Sequence, residues 1–208
     1  MADGRCHPKA AHERLRIPDT YVSSLMLDRA LDAILRRVGR IDRDHDIPYL
    51  AGYSLDGARV YIDRHLPETF LYRGRAVAVD RYLLLHEEVE KTLIDQLDLH
   101  YQHAHQIATR AEEAAVRADG ISWRAYDRFM QRYVKRMGDE RLAKVPDDLD
   151  LKPYRDEHDY DLMRRMAAAA DAPGHPAQGD PALRRRLAKA LAARAAKTEP
   201  APEKPARR

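Results

Sequence analysis

Apolar positions recur along the chain at two different periods. Over residues 18–38, Val22, Leu25, Met26, Ala30, Ala33 and Ile34 fall at helical spacing, interrupted by Arg29 and Arg37, and Gly39 is a natural stop, so a first helix is predicted there. Residues 47–54 and 58–62 are instead rich in Tyr, Val, Ile and Leu and flank Ser54-Leu55-Asp56-Gly57, whose Asp-Gly step marks a tight turn; they read as a β-hairpin. Pro67 closes it. Residues 70–79, broken by Arg73-Gly74-Arg75, read as a second short hairpin before Asp80 caps a helix.

Helices are predicted over residues 81–97 and again from His100 or Tyr101 to Ala118. A connection of so few residues makes them an antiparallel pair. Residues 121–137 form a further helix, with Ser122 as N-cap, Gly138 as its end, and Tyr126, Phe129, Met130, Tyr133, Val134 and Met137 along one face; with Trp123 these are expected core. Residues 139–160 read as an acidic, Pro-interrupted wrap, followed by a helical segment over 156–170. The expected fold class is mainly α with a small β-hairpin element, an α+β arrangement.

Composition changes near residue 170, which divides the chain into a flexible N-terminal segment (1–17), a single α-rich domain (18–170) and a Pro/Ala/Arg-rich tail (171–208) expected to be disordered. Of the 37 basic and 34 acidic residues, 9 and 3 lie in 172–208, so the body carries a slight acidic excess and offers no electrostatic reason to wrap nucleic acid. The basic tail contains a helix-prone patch, 181–197, with Leu183, Leu187 and Leu191 four apart among Arg184, Arg185, Arg186, Lys189 and Arg194; it reads as an element for folding on an acidic partner, nucleic acid or a membrane surface, with weak binding or none expected from so short a stripe by itself.

Cys6 is the only cysteine, so an internal disulfide is excluded and any metal site must use nitrogen and oxygen ligands. No run approaches the roughly 18 apolar residues of a membrane span, and the N-terminal stretch lacks the apolar core of a secretory signal, which makes the cytoplasm the expected location. The glycines form no phosphate-cradling pattern after a strand, so nucleotide binding has no support.

Candidate chemistry lies on the helix over 81–97. Steps of about 100° put Leu83, Val89, Leu93 and Leu97 across one broad face, with His86 and Glu90 inside the same arc. A buried carboxylate needs a partner or a shifted pKa. His86 and Glu90, one turn apart, are spaced to share one metal ion, and Glu87 beside them is placed to hold a water. On the next helix Ala104, Ile107, Ala108, Ala111 and Ala115 form a face that allows close approach, and Tyr101, His105 and Glu112 line one flank. His105 or Glu112 completes a three-ligand site, and the one left over orients a ligand from behind. The alternative is a structural His86–Glu90 pair, hydrogen-bonded across the helix interface. Of His100, His103 and His105, only His105 points toward the pair.

The segment Leu85-His86-Glu87-Glu88-Val89-Glu90 resembles the His-Glu-x-x-His helix of the zincin metallopeptidases, with Glu90 where that family has its second histidine. Val60-Tyr61-Ile62-Asp63 resembles the family's substrate-aligning edge strand, so the resemblance covers roughly residues 47–113. It implies a Zn²⁺-dependent hydrolase acting on a peptide or protein substrate: His86, Glu90 and His105 as ligands, Glu87 as general base, Glu112 in support of the metal, and Tyr101 polarising the substrate carbonyl. A reading from another class is a non-catalytic helical adaptor, a phage-like accessory protein tethered by its basic tail. A carboxylate-bridged di-iron bundle needs two Glu-x-x-His pairs, and neither is present.

Overall fold

The computed structural model describes residues 24–139, 142–172 and 181–198; the segment 1–17 and the tail residues 173–180 and 199–208 lie outside the described residues. In chain order the elements are α1 (Ser24–Arg37), β1 (Arg40–Asp42), β2 (Ala51–Tyr53), β3 (Arg59–Ile62), β4 (Thr69–Tyr72), β5 (Arg75–Ala78), α2 (Asp80–Leu97), α3 (Tyr101–Ala118), α4 (Trp123–Asp139), α5 (Lys152–Asp156), α6 (Tyr160–Ala170) and α7 (Pro181–Thr198). The protein is mainly helical with two small sheets. Among the described residues no helix is long and apolar enough to cross a membrane.

Both predicted hairpins form. In the first, β2 pairs antiparallel with β3, Gly52 opposite Tyr61. Its turn is held by Asp56, whose Oδ1 accepts from Ser54 Oγ at 2.6 Å and from Ala58 N at 3.0 Å, while Gly57 takes φ +69°. β4 and β5 meet at Tyr72 opposite Arg75, so the turn is Arg73-Gly74, both at positive φ, as the right-handed strand twist favours. The three-residue strand β1, Arg40-Ile41-Asp42, was not foreseen. It pairs parallel with β3, giving the order β1-β3-β2, and this places Val60-Tyr61-Ile62 in the centre of the sheet instead of at its edge. Side chains of a strand alternate between faces. Val60 and Ile62 accordingly join one core with Leu66, Phe70, Val79 and Tyr82, and Tyr61 joins a second with Ile47, Leu149 and Met163.

Local chemistry departs from expectation at several helix ends. Val79, not Asp80, is the N-cap of α2 and makes no side-chain cap bond; the Asp80 carboxylate instead takes a two-pronged contact from Arg43 at 2.5 and 3.0 Å. α4 runs through Gly138 to Asp139. The helix expected over 156–170 is α6, which starts only at Tyr160; the short α5 lies in the expected wrap, His158 at φ +57° separates the two, and Asp159 caps α6 by accepting from Leu162 N. The wrap before α5 is tied down by Asp46, whose Oδ2 accepts from Ala143 N and Lys144 N, and it extends the end of β2 through Leu55 N to Asp148 O.

The boundary at residue 171 does not mark the end of packed structure. α7 lies on α6 with Leu183 and Leu187 fully buried in the second core, and Arg186 reaches back to the Leu149 carbonyl at 2.6 Å. The four-residue leucine spacing that suggested an external partner is used by the protein's own body.

Candidate metal centre

α2 and α3 are joined through only Asp98, Leu99 and His100. Asp98 adopts a left-handed conformation that ends α2, and His100 caps α3 by accepting from Gln102 N. The pair is antiparallel: His86 meets Glu112, Glu90 meets His105, and Ile94 packs with Tyr101. Ala104, Ala108 and Ala115 are wholly buried, and these small side chains permit the close approach. α2 is buried on more than the face that periodicity indicates. Glu87 and Glu88 lie inside, whereas Leu97, expected in the apolar arc, is 64% exposed at the helix end.

His86 Nε2 stands 3.0 Å from His105 Nδ1 and 3.5 Å from Glu90 Oε2, and His105 Nδ1 is 3.0 Å from that same oxygen. Three ligands about 2.0–2.1 Å from a tetrahedral zinc ion stand about 3.3 Å from one another. The triangle therefore has the dimensions of one face of such a site, and the donor set His, Glu, His suits zinc. His100 and His103 are exposed and take no part. The His105 side chain is 46% exposed, so the triangle opens to solvent on one side.

Each buried member of the triangle is held from behind. His86 Nδ1 donates to Glu112 Oε2 at 2.9 Å, which directs Nε2 toward the triangle, and Glu112 Oε1 accepts from Tyr126 OH at 2.6 Å. Glu112 is therefore on the far side of the imidazole and does not join the ligand cluster, which comprises His86, Glu90 and His105. Glu90 Oε1 accepts from Tyr53 OH at 3.0 Å, leaving Oε2 for the cluster. Neither tyrosine was singled out for this role from the sequence. Tyr126 had the spacing of a core residue, and Tyr53, in a strand 37 residues before Glu90, carries no local signal.

Charge is distributed unevenly. Burial opposes protonation of His86, but its bonds to Glu112 and Glu90 outweigh this and hold its pKa well above the ordinary 6.5. Burial pushes Glu90 up, yet hydrogen bonds to His105 and His86 bring its carboxyl below the usual range. Glu87 has no such relief: burial, then the charge of Glu90, pushes it well above the ordinary 4.5, and it makes no hydrogen bond among the described residues. A bound cation would lower it again.

The triangle opens into a cavity of about 500 Å³ that Glu87 and Tyr101 also line. The Tyr101 hydroxyl is 3.4 Å from His105 Nδ1, and burial followed by the charge of Glu90 raises its pKa, so it is held as a proton donor. The strand beside the cavity is β2, which supplies Ala51, Gly52 and Tyr53 to its wall, and not β3 as the resemblance suggested. Asp63 N bonds Leu50 O and Ser54 N bonds Arg59 O, so alternate residues of β2 face β3 and the N–H and C=O of Ala51 face the opposite edge. No family model, curated protein or solved structure gives a significant match to this chain.

Proposed function

We propose that the protein is a metal-dependent hydrolase of zincin-like design that cleaves peptide bonds, with His86, Glu90 and His105 holding Zn²⁺. One observation carries the reading: three ligand atoms within 4.8 Å of one another, two of them buried, each of those two oriented by a further hydrogen bond, at the mouth of a cavity. A charged cluster that served only to join two helices would not need this open side.

The ion supplies Lewis acidity toward water and a substrate carbonyl. Glu87, unpartnered and facing the cavity, accepts the proton of the attacking water and returns it to the leaving amine. Tyr101 donates to the carbonyl oxygen as it gains charge. The outward N–H and C=O of Ala51 pair with the backbone of an extended substrate. Metal analysis of the purified protein tests the proposal. About one equivalent of zinc, lost in His86→Ala, is expected, and less than about a tenth of an equivalent in both proteins ends it.

A further inference from the structure

We infer that the substrate presents a cationic side chain, that of lysine or arginine, close to the scissile bond. The inference deepens the hydrolase reading and rests on it for the location of the bond. Among the described residues six carboxylates line the cavity, and no lysine or arginine does. Glu90 is engaged by the two histidines, Glu112 by His86 and Tyr126, and Asp150 by Lys91 at 2.9 Å. Among the described residues Glu87, Asp127 and Glu157 form no salt bridge with a lysine or arginine. Glu87 is 7% exposed and has no hydrogen-bonding partner among the described residues. Asp127 has the neutral Gln131 amide at 3.4 Å.

The walls match a cation in a second respect. Tyr49 and Tyr154, ring centroids 4.8 Å apart, line the cavity together with Glu157 after α5, and Trp123 and Tyr126, 5.5 Å apart, line it together with Asp127 on α4. Each group combines aromatic rings with a carboxylate. That combination binds an ammonium or guanidinium together with its aliphatic stem, and repels anionic substrates such as peptides with Glu at the same place. A dipositive ion in the triangle offsets Glu90 and Glu87 but leaves Asp127 and Glu157 unbalanced.

Trp123 is the only tryptophan of the chain and lines this cavity, so its fluorescence reports occupancy without turnover. Full-length protein, metal-free and zinc-loaded, is titrated with acetylated, amidated peptides that differ at one position: Lys, norleucine or Glu. The Lys peptide is expected to bind at least about tenfold more tightly than the norleucine peptide, with Glu weakest. In the double variant Asp127→Asn, Glu157→Gln the Lys-to-norleucine ratio falls to within about twofold. Equal binding of Lys and norleucine peptides overturns the inference, as does a preference that survives the double variant or a lack of Trp123 response to any peptide at millimolar concentration. Cation preference in a protein that holds no zinc sinks the hydrolase reading alone. Zinc-dependent cleavage without the preference sinks this inference alone.

Discussion

Glu112 accepts from His86 Nδ1 at 2.9 Å across the α2–α3 interface, and by doing so it commits the other ring nitrogen to the point where His105 and Glu90 converge. A carboxylate behind a metal-binding imidazole fixes its tautomer and raises its basicity. Glu112→Gln keeps the shape and removes the charge. Zinc affinity is expected to fall by about 10–100-fold, measured by competition with a chromophoric chelator, while far-UV circular dichroism stays unchanged. Unaltered affinity would place Glu112 in a purely structural role.

Tyr53→Phe separates packing from hydrogen bonding at Glu90. The ring is 2% exposed and its hydroxyl is 3.0 Å from Glu90 Oε1, so the variant fills the same space and strands a buried carboxylate oxygen. Loss of a buried hydrogen bond to a charged group is expected to cost about 1.5–3 kcal/mol, read by urea unfolding of the metal-free protein. Bound zinc should recover part of that loss by neutralising the carboxylate.

His86, Glu90 and His105 were legible in the sequence because two periodic helices joined by three residues leave little freedom in which side chains meet. Which nitrogen of His86 would face Glu112 was not legible, since spacing places an imidazole but does not turn its ring. Tyr53 lay beyond reach for another reason: its partner is set by how the sheet sits on α2, a tertiary relation. The same gap explains β3. Val60-Tyr61-Ile62 announces a strand, but its central position depends on Arg40-Ile41-Asp42, three residues too short to carry a strand signal of their own. In α7 the leucine spacing was visible, and its destination on α6 was not.

If α7 is part of the body, Leu187→Ala must destabilise the whole protein. Leu187 is 0% exposed in the core shared with Met163 and Tyr154. Truncation to Ala should cost about 2–5 kcal/mol in a single cooperative unfolding transition. A change below about 0.5 kcal/mol, the scale of a surface substitution, would show that α7 is a detachable tail.

Stability and zinc uptake should respond to pH in opposite directions. In the metal-free protein the raised pKa of His86 gives stability that is complete below about 6.5 and lost as pH rises through its folded value. Glu87, also raised, adds to that loss once pH exceeds its ordinary 4.5. Glu90, lowered, contributes above 4.5 and fails as pH falls through its own folded value. The cluster alone therefore favours folding most near pH 4.5, with the loss above it steepening once pH passes about 6.5. Zinc requires an unprotonated His86, so the rise in Tm caused by saturating zinc should grow from pH 6 to pH 8. A zinc-induced shift that is flat over this range would mean that the ion binds elsewhere.

Glu87→Gln distinguishes a catalytic centre from a metal staple. Glu87 lies outside the ligand cluster, so the variant should retain the full zinc content of the parent protein. It cannot accept the proton of an attacking water, and removal of a general base typically lowers turnover by about 10²–10⁴-fold. Burial penalises its charged form, so the amide should also stabilise the metal-free protein above pH 5. The decisive pairing is therefore higher stability and unchanged zinc with peptide cleavage nearly abolished. Cleavage at the parental rate would remove Glu87 from the chemistry and leave the ion without a base.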